Sequence, residues 1–226
     1  MIQPSGTPSQ PPVPAQPPKP LLRGWIHAVT APLALVAGIV LVVLAPAGAG
    51  KATTAVFAFT GVLLFTVSAF YHRGNWSPKT TLMLKRIDHT NIMLLIAGSY
   101  TPLAWALLPA RSATVLLVAI WIGALAGVGF RVFYTDAPRW LYTPVYVLLG
   151  LAALLFLGDF LAASPAAAIL ICVGGAFYIA GAVFYALKAP NPIPGILGFH
   201  ELFHAFTLIG FACHFTAIAI AVLGTA

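Results

Sequence analysis

The residues with the clearest capacity for chemistry lie in one apolar segment near the C-terminal end of the chain. His200 and His204 are four positions apart, and Glu201, the only glutamate of the sequence, lies between them. On a helix this spacing places both imidazoles on one face, about 6 Å apart along the axis. That arrangement suits two adjacent ligands of a tetrahedral zinc ion. The segment is apolar enough to span a bilayer, where ionisable residues are expensive, and it is therefore a functional candidate.

The composition places the whole chain in a membrane. Of its 226 residues, 61% are hydrophobic and 7% are charged, and the mean hydropathy is +0.98. Too little polar surface remains to cover a soluble globule of this size. The net charge of +7 comes from basic residues between apolar runs, where membrane orientation explains them, so nucleic-acid binding is set aside. Cys172 and Cys213 lie inside apolar segments without paired spacing and indicate neither a disulfide framework nor a cysteine zinc site.

The sequence divides into a short tail and one membrane domain. Residues 1–22 are rich in proline and poor in large apolar residues, which predicts a disordered, Pro-rich cytoplasmic tail. Residues 23–226 are predicted to form an all-α, seven-transmembrane helix bundle, because apolar runs alternate with short connections that contain proline and glycine. The predicted spans are 24–44, 52–72, 87–108, 112–133, 141–157, 166–187 and 197–223.

Lysine and arginine are distributed unevenly between the two ends of these spans. Nine lie in the tail and in the second, fourth and sixth connections, whereas Lys51 and Arg111 lie at the opposite end. By the positive-inside rule, the N-terminus is predicted to be cytoplasmic and the C-terminus, after seven crossings, to be outside. The nine residues are Lys19, Arg23, Arg73, Lys79, Lys85, Arg86, Arg131, Arg139 and Lys188.

This topology determines where partners for the two histidines can lie. His200 and His204 occupy the first turns of the last span, at its predicted cytoplasmic end, so further ligands must come from helix ends at the same depth. His72 closes the second span at that face, with Ser68 one turn earlier on the same side. Asp88 is predicted to open the third span there. Residues that could bind a metal ion, or a water on it, are therefore predicted at the same depth in the membrane on three different helices.

At this point the residues resemble a family. The segment Ser68-Ala-Phe-Tyr-His72, followed by Asp88 and then by His200-x-x-x-His204, is similar to the hemolysin III branch of the progestin and adiponectin receptor family, which is grouped with alkaline ceramidases. The resemblance covers the predicted membrane domain. It implies that His72, His200 and His204 hold Zn²⁺, that Asp88 holds or activates a zinc-bound water, and that Ser68 supports the site.

The chemistry of such a site indicates a hydrolase. Three neutral imidazoles leave a fourth zinc position open, and zinc lowers the pKa of water there toward about 7. A carboxylate nearby, for which Asp88 is the candidate, can move the proton. Scissile groups near the inner headgroups would be within reach. We therefore predict a zinc-dependent, ceramidase-like hydrolase of lipid amides in the plasma membrane, with membrane lipids as partners and a lipid as substrate.

A basic rim at this face would favour anionic headgroups; it comprises Arg73, Lys79, Lys85 and Arg86. The oligomeric state stays open.

Two other functions remain open. His200-Glu-Leu-Phe-His204 also satisfies the H-E-x-x-H pattern of metalloproteases, with Glu201 as general base. Two facts count against a protease: the chain has no downstream glutamate ligand, and Thr207 and Gly210 occupy the Gly and His positions of the extended pattern.

The second function is not enzymatic: a pore-forming cytolysin or a receptor-like protein of membrane homeostasis, with a structural zinc. The predicted helices lack the ring of charges that an aqueous pore needs.

Four ionisable positions have a structural interpretation beside a functional one. Many members of the resembled family carry a Glu and a Thr-His pair at the entry to helix one, where this chain reads Arg23-Gly-Trp-Ile-His27, so a role for His27 is left open. His89 follows Asp88 but is rotated about 100° around the helix, and we expect it to face away from the site. His214 is expected to be a hydrogen-bonded core residue. Asp88 itself could pair with a neighbouring arginine.

Overall fold

The computed structural model of the chain describes residues 19–134 and 137–225, apart from the side chains at 139 and 140. Most of the predicted tail therefore lies outside the described residues. Within them, seven helical spans are long and apolar enough to cross a membrane, which confirms an all-α, multi-pass membrane bundle. The elements are α1 Trp25–Leu44, α2 Ala49–Arg73, α3 Pro78–Leu107, α4 Ala110–Phe133, α5 Arg139–Leu151, a 3₁₀ turn Ala152–Phe156, α6 Leu157–Ala163, α7 Pro165–Leu187 and α8 Phe199–Leu223.

Helix α3 begins at Pro78 and not at residue 87, as the hydropathy pattern had predicted. The Ser77 hydroxyl accepts a hydrogen bond from the Thr80 backbone N–H at 3.3 Å, and Pro78 occupies the first helical position. Both are strong helix-start features, and they outweigh the local lysines and arginines that made this stretch look like a loop. Asp88 therefore lies inside α3 and does not open it, so its side chain projects from a continuous helix.

The fifth span is broken by a hydroxyl group from α3. The Tyr100 hydroxyl donates to the Gly150 carbonyl at 2.7 Å and accepts from the Ala153 N–H at 2.8 Å. A side chain inserted in this way interrupts the regular helical hydrogen bonds. The chain accordingly tightens into the 3₁₀ turn before α6, and the span Leu141–Ala163 reaches beyond the predicted end at 157.

The N-terminal end of α1 and the start of α8 meet at one end of the bundle. The backbone N–H of Leu21 donates to the Gly195 carbonyl at 2.9 Å, and that of Leu22 donates to Ile196 at 3.2 Å. Below this end, α2 and α8 pack through aromatic rings: the Phe211 ring lies 4.9 Å from Phe65, centroid to centroid. The assignment of this end to the cytoplasm stays a prediction.

Helices α7 and α8 cross at very short range. A Cβ atom built on Gly174 would lie 3.0 Å from the Gly210 carbonyl oxygen, and one built on Gly210 would lie 3.0 Å from the Gly174 carbonyl oxygen. Small residues at such a crossing let two backbones approach inside a membrane. The contact holds α8 against α7 beside the His214 ring.

Replacing Gly174 with alanine should therefore destabilise the bundle, whereas the same change at Gly175 should not. The new methyl group in G174A would lie 2.5 Å from Cδ2 of His214 and against α8 backbone, but in G175A it meets nothing within 4 Å. We expect G174A to lose about 1–3 kcal/mol, as overpacked cores do, and G175A to keep or gain stability because alanine favours helix. Thermal unfolding in detergent micelles measures the difference. Equal melting temperatures for the two variants would contradict this crossing.

Candidate metal centre

The first turn of α8 is anchored by its glutamate. Oε2 of Glu201 accepts a hydrogen bond from the backbone N–H of Gly198 at 2.9 Å, and Oε1 forms an ion pair with Nε of Arg23. An acid is favourable here because its charge opposes the positive end of the helix dipole. The residue is only 1% exposed. The start of α8 is thus tied to the segment that leads into α1.

Three imidazoles converge just beyond this anchor. His200 and His204 lie in the first two turns of α8, and His72 lies in the last turn of α2. Nε2 of His72 is 3.2 Å from Nε2 of His200, although the two residues are 128 positions apart in sequence. One nitrogen from each of the three rings lies within 4.8 Å of the other two. The structure therefore brings together the three histidines that the sequence analysis selected.

The donor set of this trio fits a transition-metal ion. Zinc–nitrogen bonds of about 2.0–2.1 Å at tetrahedral angles place two ligand nitrogens roughly 3.3–3.4 Å apart, and the His72–His200 separation is 3.2 Å. Imidazole suits zinc, copper, iron and nickel, whereas magnesium and calcium prefer oxygen ligands. The trio could hold a metal ion of the first group.

A carboxylate and a hydroxyl group lie beside the trio. Oδ2 of Asp88 is 3.7 Å from Nε2 of His72, and Ser68 is buried one turn before His72 on α2. Both line a cavity of about 40 Å³ whose wall also includes His200 and His204. A space of this size has room for water, since one molecule needs about 10–15 Å³ on this measure.

His27 belongs to this cluster, although the sequence left its role open. Its ring stacks on that of His204 with 3.9 Å between centroids, and it meets Phe65 edge-on. The side chain is buried and lines the same cavity as Asp88. Neither ring nitrogen has a hydrogen-bond partner among the described residues. Because burying such groups without partners is costly, the cavity is the place where His27 can find one.

The prediction that His89 faces away from the site is wrong in part. Its Nδ1 atom accepts a hydrogen bond from Nη2 of Arg131 at 2.6 Å, and its ring also lines the cavity beside Asp88. Arg131, counted above as a charge at a helix end, is completely buried and stacks over Tyr142 at 4.3 Å. A lone arginine near the end of an apolar run reads as a side chain that reaches the interface, so sequence reasoning missed this pair.

His214 lies away from the trio, as expected. Its Nε2 atom is 3.2 Å from the Ile171 carbonyl, and its ring meets Tyr178 edge-on. The residue therefore packs between α7 and α8, and its contact with the Ile171 carbonyl agrees with the hydrogen-bonded residue that was predicted.

The geometry of Glu201 does not favour the metalloprotease alternative. Its two carboxylate oxygens are engaged by Arg23 and by the α8 backbone, so neither is directed to the trio as a general base would be. The carboxylate beside the trio is that of Asp88. The ion pair of Glu201 also takes up Arg23, one of the neighbouring arginines with which Asp88 could have paired.

Comparison with known proteins gives consistent matches. The model of a family described as haemolysin-III related matches residues 15–215. The Hemolysin-3 homolog of Bacillus subtilis (strain 168) is 32% identical over 164 residues, which cover 72% of this chain and 74% of that protein. Hemolysin-3 of Bacillus cereus is 30% identical over 206 residues, which cover 88% of this chain and 90% of that protein.

Replacing His72 or His204 with alanine should weaken metal binding by more than about a hundredfold, since even loss of an outer partner of a ligand costs about 10–100-fold. Zinc titration of purified protein against a fluorescent chelator measures the affinity. The matched control is H214A, which removes a membrane histidine that lies outside the trio and should leave the affinity unchanged. Full metal content in H72A or H204A would refute the assignment of ligands.

Proposed function

The chain belongs to the haemolysin-III-related family, and we propose that it is a zinc-dependent hydrolase of lipid amides in the plasma membrane. The observation that carries the proposal is the position of Asp88. A metal site with a purely structural role would need its imidazoles alone, whereas here a carboxylate lies 3.7 Å from His72 and lines a water-sized cavity with His200 and His204.

His72, His200 and His204 are the proposed ligands. Three nitrogen donors leave one tetrahedral position open, which is the pattern of catalytic and not of purely structural zinc sites. When bound, zinc would supply a Lewis acid that activates water near neutral pH. The protein's own part is to hold three imidazoles at the ends of two packed helices, so that their positions do not depend on a loop.

Asp88 and Ser68 are proposed to handle the proton and the substrate. Asp88 lines the cavity, and as general base it would accept a proton from a water molecule bound there. The Ser68 hydroxyl, in the same wall, would donate a hydrogen bond to a polar atom of the substrate or of that water. His27, stacked against His204, would keep that ring in place and offer a further hydrogen-bonding nitrogen to the cavity.

A lipid is the proposed substrate because of where the cavity lies. Its walls combine these polar groups with apolar side chains from several helices, including Leu64, Ile92 and Phe203. The cavity is at the end of the bundle, where an amide that links an acyl chain to a polar head would lie. Orientation by the positive-inside rule would place this end in the inner leaflet.

A pore-forming function is the second candidate, and the names of the relatives favour it. A pore needs a polar path along the bundle axis. Below the trio, the described core is filled by apolar side chains such as Phe57, Met93 and Ile218, which favours the hydrolase. Conductance in planar bilayers that persists after zinc is removed would support the pore.

Asp88→Asn and Glu201→Gln separate the proposed function from the protease alternative. D88N keeps the size of the side chain but removes the base, and we expect fatty-acid release from ceramide or an N-acyl amino acid to fall by about 10²–10⁴-fold. E201Q keeps an oxygen for the Gly198 N–H but loses the ion pair with Arg23, so we expect a smaller loss of rate than in D88N, because it disturbs the anchor of α8 and not the base. Chromatography of fatty acid released in zinc-loaded proteoliposomes measures both, and metal content is the control.

A larger loss of rate in E201Q than in D88N would favour Glu201 as the base. Absence of fatty-acid release from every lipid amide tested, in protein shown to hold zinc, would contradict the hydrolase.

A further inference from the structure

We propose that Thr143 of α5 binds a hydroxyl group in the head of the lipid amide, so that the substrates are amides of amino alcohols. The proposal rests on the proposed function for the reacting amide and goes beyond it in naming a substrate class and the residue that selects it. Thr143 lies in the second turn of α5 and is 8% exposed. Its side chain lines the small cavity that Asp88, His200 and His204 also line.

The hydroxyl group of Thr143 lacks the partner that the other buried threonines of the described bundle have. Six threonines are buried there, and five of them donate a hydrogen bond to a carbonyl in the preceding turn of their own helix. The five are Thr30, Thr54, Thr60, Thr90 and Thr207. Donation of this kind is the usual way in which a helix satisfies a buried hydroxyl. Oγ1 of Thr143 has no hydrogen-bond partner among the described residues, so it is available to a ligand.

Thr143 shares this property with His27, which lines the same cavity. Burying a polar group without a partner is costly, and here two such groups reach one space from two helices, α1 and α5. His27 stacks on His204 and therefore belongs to the wall that carries the proposed metal ligands. Thr143 belongs to another wall, so the two side chains would bind different parts of one ligand.

The wall that carries Thr143 packs against α3 beside Asp88. The Tyr142 ring lies 5.6 Å from the His89 ring, and the Tyr146 hydroxyl donates to the His89 carbonyl at 3.5 Å. Both tyrosines line the cavity together with Thr143. Helix α5 contains no histidine, cysteine, aspartate or glutamate, so its wall offers neither a metal ligand nor a general base. Thr143 is therefore a residue that would bind the substrate next to the reacting groups.

The chemistry of the threonine hydroxyl selects the group that it would bind. A hydroxyl both donates and accepts hydrogen bonds, so its full partner is a group that does the same. A carbonyl or ester oxygen only accepts. A charged head would lose its water among apolar side chains such as Leu64, Ile92 and Phe203, at a high cost. An uncharged hydroxyl group meets both conditions.

The depth of Thr143 places this hydroxyl group on the amine side of the amide. Thr143 is in the second turn of α5, and the contacts of α5 with His89 bring that turn to the end of the bundle where α8 begins. The acyl chain of a lipid amide has to extend away from this end, toward the middle of the membrane. A hydroxyl bound at the depth of the metal centre therefore belongs to the head, which makes the head an amino alcohol.

Two neutral probes that differ in one group test the inference: N-palmitoylethanolamine, whose head ends in a hydroxyl, and N-propylpalmitamide, in which a methyl group replaces that hydroxyl. Competition of each probe with tritiated N-palmitoylethanolamine for zinc-free, full-length protein in detergent measures their relative affinity. We expect the alcohol to bind about tenfold more tightly, because the analogue leaves the Thr143 hydroxyl without its partner. That preference should fall to about one in T143V, which keeps the shape of the side chain, and persist in T143S, which keeps the hydroxyl.

The matched control variant is T207V. Thr207 lines the same cavity and is buried to a similar degree, but its hydroxyl already donates to the Phe203 carbonyl at 2.8 Å, so T207V should keep the preference. Comparing the ratio of the two affinities between proteins cancels unequal partitioning of the probes into micelles. Equal binding of the probes by the native protein, as expected if a water molecule alone satisfies Thr143, would overturn the inference. A preference that survives in T143V, or that is lost equally in T207V, would also overturn it.

Two further arms separate the source of the hydroxyl group and the fate of the proposed function. N-acetylethanolamine carries the same head without a long chain, and its competition at the same concentration as the lipid would overturn the assignment to a lipid. Preferential binding of the alcohol without release of palmitate by zinc-loaded protein would refute the hydrolase and support the role of Thr143. Release of palmitate from both amides, together with equal binding, would do the reverse.

Discussion

The ion pair between Arg23 and Glu201 is the interaction on which the geometry of the centre depends. A carboxylate that is almost fully buried at the end of a membrane helix requires a cation and hydrogen-bond donors, and Glu201 receives both from Arg23 and from the α8 backbone. His200 and His204 share the first two turns with it, so their positions follow from this anchor. Arg23 in turn leads into α1, which brings His27 against His204.

Polar contacts of this kind specify which helices are neighbours. In a membrane, apolar side chains pack against lipid about as well as against protein, so apolar area alone selects no partner. The Tyr100 hydroxyl binds α3 to the fifth span, and Arg131 binds α4 to His89 of α3. These contacts position α3, and with it Asp88, next to the trio. Polar residues of the bundle therefore have two roles at the site. Some are members of it, and others form the contacts that bring its helices together.

The sequence predicted the members of the site better than their surroundings. Hydropathy and the depth of helix ends were sufficient to bring His72, Asp88 and the α8 pair together, because both follow from chain connectivity. The start of α3 was misplaced since a serine cap and a proline outweighed a basic stretch. The partners of Glu201 and Arg131 could not be read from the sequence, because they depend on the rotation of each helix about its axis, which periodicity leaves undetermined in spans that are apolar on most sides.

A structural and a catalytic role for a metal at this trio would both account for the three histidines. The two roles differ in whether they account for Asp88. His72 ends α2 and the other two histidines begin α8, and the same helices also contact through Phe65 and Phe211, so an ion held by the three would clamp helices that already pack together. That clamp would stabilise the bundle whether or not the protein is an enzyme. Asp88 is different, because it comes from α3 and lies outside the trio, yet its carboxylate is directed at His72. A partly buried acid beside three imidazoles adds a desolvation cost that a purely structural metal site does not need, but it supplies the proton acceptor that hydrolysis requires. This difference is the physical reason for preferring the enzyme.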